Sequence, residues 1–252
     1  MLYERLRAPD GRTLSFSPRG FSKAFAMKPE ASAEFLESAL AQAELIVDVP
    51  EDIVRAFSRL KALFLHGIFE YEFFTVAMTH ASLVTEMALG LRFVAEYPDG
   101  IPLTSSPGGE RALIVASDFG TVVSAMSPKG SHPFRARRGG PSWRLDEAPR
   151  FDASYNSLLQ WAHSRRLLKH WLDAEWERLE ARAASGPTVL PEGTARSQWE
   201  ARRLELIRDI RNLLAHPTYH QIAMPPDSAR AIIQAAAITN SLWTPGQTRS
   251  GG

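Results

Sequence analysis

The segment Trp199–His216, WEARRLELIRDIRNLLAH, decides the predicted fold of this chain, and Pro217 follows it directly. Its apolar residues recur at steps of three and four, the spacing of a helix that buries one face. With Leu206 as the origin and about 100° of turn per residue, they span an arc from roughly −20° to 100°. These residues are Trp199, Leu206, Ile207, Ile210, Leu213 and Leu214. The spacing therefore predicts a helix from about Thr194 to His216 that packs against other helices.

Three polar residues at the end of this helix are predicted to face away from that apolar arc. On the same scale Arg211 points near about 140°, Asn212 near about 240° and His216 near about 280°. A cation, an amide and an imidazole on one open face are typical of a chemical site. The alternative is a solvated last turn, in which basic residues interact favourably with the helix dipole. In that interpretation Pro217 explains the helix end, because the residue before proline disfavours helical geometry.

The pattern Arg-Asn-x-x-x-His at a helix end resembles the motif of the HEPN superfamily, and it matches at Arg211, Asn212 and His216. HEPN proteins are helical bundles, usually dimeric, and many are metal-independent endoribonucleases of toxin–antitoxin and antiphage systems. The segment Phe69–Leu89 is similar to the long first helix of such bundles. The resemblance implies a homodimer that cleaves single-stranded RNA and acts beside an antitoxin or another defence protein. Some HEPN domains are scaffolds, so a non-catalytic interaction or nucleotide-binding module is the alternative function.

The residue types suit cleavage of RNA by its own 2′-hydroxyl group. His216 would transfer the proton, since imidazole titrates closest to neutral pH. Arg211 would stabilise the charge of the phosphorane, and Asn212 would orient the reacting group. Asp209, about 20° from His216 around the helix, is a candidate to orient the imidazole. Glu86, a carboxylate within an apolar helix, is a candidate partner for Arg211, because buried carboxylates need a partner.

Arg211 and His216 diverge by about 140° in a straight helix, which favours a cleft completed by a second subunit. Further candidate RNA contacts are Arg165, Arg166 and Lys169, because basic side chains supply most non-specific affinity for nucleic acid. Solvated surface charge is the alternative for these residues, and also for the arginines of the stretch 135–150. The net charge of +1 indicates that any RNA contact is local.

Neither a metal nor a cofactor is expected. His216 and His220 have the i, i+4 spacing of zinc-binding helices, but Pro217 between them should end the helix. The chain contains no cysteine, which excludes disulfides and thiolate sites. No phosphate-binding loop, dinucleotide fingerprint or nucleophile elbow occurs. The charged start and the lack of about 18 uninterrupted apolar residues predict a cytoplasmic protein without a membrane contact.

The hydrophobic patterning predicts a mainly α-helical, antiparallel bundle in a single domain over residues 1–243, with a flexible tail over 244–252. Proline and glycine interrupt the stretch 98–150, which is predicted to be a long irregular insertion with one short helix near 111–119. Alternation over Arg12–Ser17 indicates a small N-terminal β element. The remaining helices are predicted at 29–44, from Glu51 to about Phe64, at 69–97, at 158–179 and at 231–243.

Overall fold

The protein is mainly α-helical, as the sequence predicts, and carries two small antiparallel sheets in the part of the chain that the structure describes. The structure is a computed structural model and describes residues 4, 7–14, 16–17, 20–21, 27–106, 109–126, 142–145, 151–186, 195–215 and 223–245. The described helices are α1 (Gly11–Leu14), α2 (Pro29–Ala39), α3 (Glu51–Leu65), α4 (Glu72–Glu96), α5 (Phe119–Met126), α6 (Tyr155–Ser164), α7 (Lys169–Ser185), α8 (Arg196–Ala215) and α9 (Pro225–Trp243). The strands are β1 (Phe16–Ser17), β2 (Gly20–Phe21), β3 (Ile101–Ser106), β4 (Arg111–Ile114) and β5 (Ser142–Leu145).

The chain divides into two compact units, one of Met1–Thr85 with Asp209–Asn240 and one of Glu86–Arg208 with Ser241–Gly252. Helices α4, α8 and α9 contribute residues to both units. The expectation of a single domain over residues 1–243 stays a prediction, because compactness is no test of independent folding.

The first unit is built around the apolar face of α3. Pro50 precedes this helix and two acidic residues open it, both favourable at a helix N-terminus. Its buried residues follow helical spacing: Ile53, Phe57, Leu60 and Phe64. The ring of Phe64 meets that of Phe74 edge to face at 5.3 Å. At Gly67 a Cβ atom would lie 2.5 Å from the Phe74 ring, so glycine is required for this close approach.

Polar contacts fix α9 within the same unit. Asn240 accepts a hydrogen bond from the backbone N–H of Ile46 at 3.0 Å and donates its amide to the carbonyl of Glu44 at 2.8 Å. The hydroxyl of Ser228 donates to the carbonyl of Phe74. The two bonds of Asn240 satisfy backbone groups of Glu44 and Ile46, which lie outside any helix or strand.

The second unit is centred on the ring of Phe93. This ring stacks on Phe151 at 4.7 Å and meets Trp161 edge to face at 4.8 Å. It also contacts Tyr97 and Phe119 at 5.2 Å and 5.7 Å. The phenol oxygen of Tyr97 in turn accepts a hydrogen bond from the indole of Trp161. The cluster thus connects α4, α5 and α6.

The stretch 98–150 contains regular structure, so the prediction of an irregular insertion is wrong there. Strand β3 pairs antiparallel with both β4 and β5, in the order β4-β3-β5. The helix predicted near 111–119 is also wrong, since Arg111–Ile114 is strand β4 and helix α5 begins only at Phe119. Short apolar runs do not distinguish strand from helix. Exposure alternates along β4, and Asp118 caps α5 through the N–H of Thr121 at 2.8 Å.

Two further boundaries differ from the sequence-based expectation. The helix predicted over 158–179 is broken between α6 and α7, where the backbone turns at Arg165–Leu168. The N-terminal β element is confirmed only as the pair of two-residue strands β1 and β2. Arg12–Leu14, predicted as the start of that strand, lies instead in helix α1, and Asp10 accepts a hydrogen bond from the N–H of Arg12 near the start of this helix.

Among the described helices, α4 alone is long and apolar enough to cross a membrane by length and composition. Its most apolar window is 44% buried inside the protein. Core helices of soluble proteins have the same property, so the cytoplasmic location stays a prediction.

Candidate functional site

Helix α8 buries a different face from the one that its apolar spacing predicts. Leu204 and Ile207 are buried, whereas Leu206, Ile210 and Leu213 are 47%, 40% and 47% exposed. On the helical scale used above, Leu204 lies near about 160° and Ile207 near about 100°. The buried arc is therefore rotated by roughly one residue from the apolar arc.

This rotation changes the placement of Arg211. Its direction, near about 140°, falls between those of Leu204 and Ile207, and its side chain is half-buried. The prediction that Arg211 faces away from the core is thus wrong. Asn212 and Asp209 are exposed, as expected for the open face. His216, together with Pro217 and His220, lies outside the described residues.

The structure assigns Glu86 and Arg211 to different compact units. Glu86 is half-buried on α4. Its predicted pairing with Arg211 remains a prediction. The basic residues of the stretch 135–150 also remain without a test, because that stretch is described only at Ser142–Leu145.

The three candidate RNA contacts of the second unit separate at the break between α6 and α7. Arg165 is half-buried and donates to the phenol oxygen of Tyr97 at 3.3 Å, so it supports the aromatic cluster. Arg166 and Lys169 are exposed and line a cavity of about 440 Å³. The other lining residues are His163, Ser164, Leu172, Asp173, Arg196 and Glu200.

A chain of ion pairs organises this cavity, which we call the α6–α8 cavity. Asp173 is bound by Lys169 at 2.7 Å and by Arg196. Glu200 is bound by the Nε of Arg196 at 2.9 Å and lies 3.3 Å from the Nε2 of His163. The hydrogen bond from Lys169, together with that from Arg196, holds the pKa of Asp173 below its ordinary value although burial opposes this. Hydrogen bonds to Asp173 and Glu200 raise the pKa of Arg196.

Sequence reasoning named Arg166 and Lys169 but missed the other charged residues of the cavity. Two signals were present, since Lys169–Asp173 and Arg196–Glu200 are both at i, i+4 spacing, which favours ion pairs on a helix. What the sequence does not reveal is the approach of α8 to α7, which brings Arg196 to Asp173.

Among the described residues, no group of three or more histidine or acidic side chains is placed to hold a metal ion. No family model, curated protein or solved structure matches the chain.

Proposed function

We propose that the protein is a metal-independent endoribonuclease that cleaves single-stranded RNA, acting as a toxin or an antiphage effector. The observation that carries the proposal is the position of Arg211 and Asn212 near the C-terminal end of α8, a helix of 20 residues that ends at Ala215. An arginine and an asparagine that lie five and four residues before a histidine, close to a helix end, match the residue types of a HEPN site. The mainly helical fold is compatible with a HEPN-like bundle.

Each residue has a separate role in this proposal. Half-burial of Arg211 restricts its rotamers, which favours a fixed guanidinium that binds two phosphate oxygens and stabilises the phosphorane. Asn212, exposed, orients the 2′-hydroxyl group or a phosphate oxygen. His216 transfers the proton. Asp209, also exposed, orients the imidazole.

We further propose that the active form is a homodimer with α8 near the interface. Arg211 and His216 diverge by about 140° on a straight helix, so a second subunit is needed to close a cleft around both. Ile210 and Leu213 support this, because they are 40% and 47% exposed and lie within one turn of Arg211. Light scattering should give twice the chain mass of 28.0 kDa. Ile210→Glu should yield the monomer, and a wild-type monomer at micromolar concentration would contradict the dimer.

The test of the nuclease is cleavage of single-stranded RNA in the presence of EDTA. The products should carry a 2′,3′-cyclic phosphate, and DNA should resist cleavage because it has no 2′-hydroxyl group. His216→Ala should lower the rate by roughly 10²–10⁴-fold, and Arg211→Ala by roughly 10²–10³-fold. Arg202→Ala is the matched control, since Arg202 is an exposed arginine of the same helix.

Stability measurements separate a catalytic from a structural role. Asn212 is exposed, so Asn212→Ala should lower the rate while changing stability by less than about 0.5 kcal/mol. Arg211 is half-buried, so its variants need circular dichroism to show that the fold persists. No cleavage by the wild type, or unchanged cleavage by an Arg211→Ala/His216→Ala double variant, would reject the nuclease.

The second candidate function is a non-catalytic HEPN-like module that binds a ligand or a partner. One observation favours it: the α6–α8 cavity has a volume of about 440 Å³, within the range of small-molecule sites. A folded protein that binds a small ligand but never cleaves RNA would support this function over the nuclease.

A further inference from the structure

The connection between α6 and α7 places an arginine in a backbone position that glycine usually occupies. The N–H of Leu167 bonds to the carbonyl of Ala162 and the N–H of Arg166 to that of His163, each at 2.9 Å. This pair of bonds is a Schellman motif, and its αL residue is most often glycine. Arg166 has a φ of 60°. A side chain in this conformation strains the backbone, and such strain clusters at binding sites.

The charges of the α6–α8 cavity leave Arg166 as the surplus cation. Asp173 and Glu200 are both engaged by cations, through Lys169 and Arg196. Within the part of the chain that the structure describes, the guanidinium of Arg166 forms no hydrogen bond or ion pair. An exposed guanidinium of this kind has all of its N–H donors available to a ligand.

We propose that the α6–α8 cavity binds a phosphomonoester whose remaining part is polar and carries hydroxyl groups, such as a sugar phosphate. Arg166 binds two phosphate oxygens in a bidentate manner, and Lys169 adds a second positive charge at the same rim. Asp173 and Glu200 hold the cations in place, and their free lone pairs accept hydrogen bonds from the ligand's hydroxyl groups.

The lining of the α6–α8 cavity favours a polar ligand body. Leu172 is the one aliphatic side chain on the wall, and none of the described lining residues has a benzene or indole ring. The described wall of the cavity therefore has no benzene or indole ring on which a nucleobase could stack. The volume of about 440 Å³ accommodates a sugar phosphate, since small-molecule sites start near roughly 300 Å³. This inference goes beyond the proposed ribonuclease and does not depend on RNA cleavage.

Isothermal titration calorimetry of the full chain with ribose 5-phosphate tests the proposal. Ribose without phosphate and inorganic phosphate are the comparison ligands, and both should bind more weakly. A 5′-phosphorylated RNA dinucleotide, compared with its 5′-hydroxyl form, shows whether the phosphate comes from a free sugar phosphate or from the end of a chain. The site is supported if the phosphorylated ligand binds more tightly than its unphosphorylated form, either for ribose 5-phosphate against ribose or for the two dinucleotides.

Two variants of Arg166 separate loss of the cation from loss of the fold. Arg166→Ala and Arg166→Gly both remove the guanidinium, and both should weaken ribose 5-phosphate binding by roughly 10- to 100-fold. Arg166→Gly also relieves the backbone strain, so its thermal midpoint should equal or exceed that of the wild type. Arg182→Ala, which changes an exposed arginine of α7 outside the cavity, is the matched control and should bind normally.

Three outcomes would contradict the proposed site. The first is that no phosphorylated probe binds at millimolar concentration, and the second is that ribose and ribose 5-phosphate bind equally. The third is that a folded Arg166→Gly protein binds ribose 5-phosphate as tightly as the wild type. A folded Arg211→Ala protein keeps Arg166 and should bind ribose 5-phosphate like the wild type, so failure of this site and failure of the nuclease proposal are distinguishable.

Discussion

The buried ion pair between Arg92 and Glu96 provides a sharp test of how the second unit is stabilised. The Nη2 of Arg92 donates to Glu96 at 2.9 Å, and the two side chains are only 8% and 11% exposed. The guanidinium lies 5.4 Å from the ring centroid of Trp243. Its Nε atom has no hydrogen-bond partner among the described residues. Both charges are thus removed from water, and one donor remains unsatisfied.

The expected effect depends on whether one partner or both are replaced. Glu96→Leu leaves an uncompensated buried cation, which costs about 3–5 kcal/mol, and Arg92→Met leaves a buried carboxylate at a similar cost. Replacing both with apolar residues removes the desolvation penalty altogether. The Arg92→Met/Glu96→Leu protein should therefore match the wild type or exceed its stability by roughly 1–4 kcal/mol.

Urea denaturation followed by far-UV circular dichroism measures all four proteins of this double-mutant cycle. In a thermal scan, one kcal/mol corresponds to roughly 2–4 °C for a chain of this size, so each single variant should melt about 6–20 °C below the wild type. Glu177→Leu, at an exposed position of α7, is the control and should change stability by less than about 0.5 kcal/mol. The reasoning is refuted if Glu96→Leu costs less than about 1 kcal/mol or if the double variant loses the sum of the single losses.

Three other predictions concern the packing, the backbone and a buried phenol. Phe93→Ala removes the ring that contacts four other aromatic residues, so it should cost about 3–5 kcal/mol in urea denaturation, and a loss below about 1 kcal/mol would contradict the central role of this ring. Ala153 has a φ of 58°, a strained conformation for a residue with a side chain. Ala153→Gly should raise the melting temperature slightly, because relief of about 1–2 kcal/mol of strain exceeds the entropic cost of glycine. A lower melting temperature of the variant would contradict this strain. Burial raises the pKa of Tyr71 from 10.0 to about 12, so the folded state keeps a proton that the unfolded state loses. The stability present below pH 10 is then lost as the pH rises, by about 1.4 kcal/mol at about pH 11. Tyr71→Phe should lack this loss, and parallel pH profiles of the two proteins would count against it.

Periodicity predicted the helices because each described core helix buries side chains at helical steps. Helix α3 illustrates this, since Pro50 and the acidic first turn marked its start and Ile53 to Phe64 its buried face. Periodicity failed where other contacts decide the structure. The break after α6 is stabilised by backbone bonds around Arg166, a residue type that gives no warning of a left-handed turn. The sheet over 101–145 pairs β3 with strands on both sides of α5, and such pairing is not visible in a local pattern.

The candidate site was predicted in its residue types but not in its orientation. The position of Arg211 and Asn212 near the C-terminal end of α8 follows from the sequence. The side to which Arg211 points does not, because it depends on which face of α8 the rest of the protein covers. Likewise, i, i+4 pairs predict that Lys169 and Arg196 have carboxylate partners, whereas the α6–α8 cavity requires the packing of α8 on α7.

The rotated face of α8 has a physical cause in the contacts of its first half. Arg203 donates to Glu175 at 2.8 Å, and its guanidinium lies 5.8 Å from the ring centroid of Trp171. Trp199 meets Trp176 edge to face at 5.3 Å. Long basic side chains cover apolar surface with their aliphatic stems, so a helix can bury arginine when carboxylates and indole rings face it. The apolar stripe of α8 is thereby left exposed, and the same rotation that turns Arg211 inward exposes Ile210 and Leu213, the residues that we propose bind a second subunit.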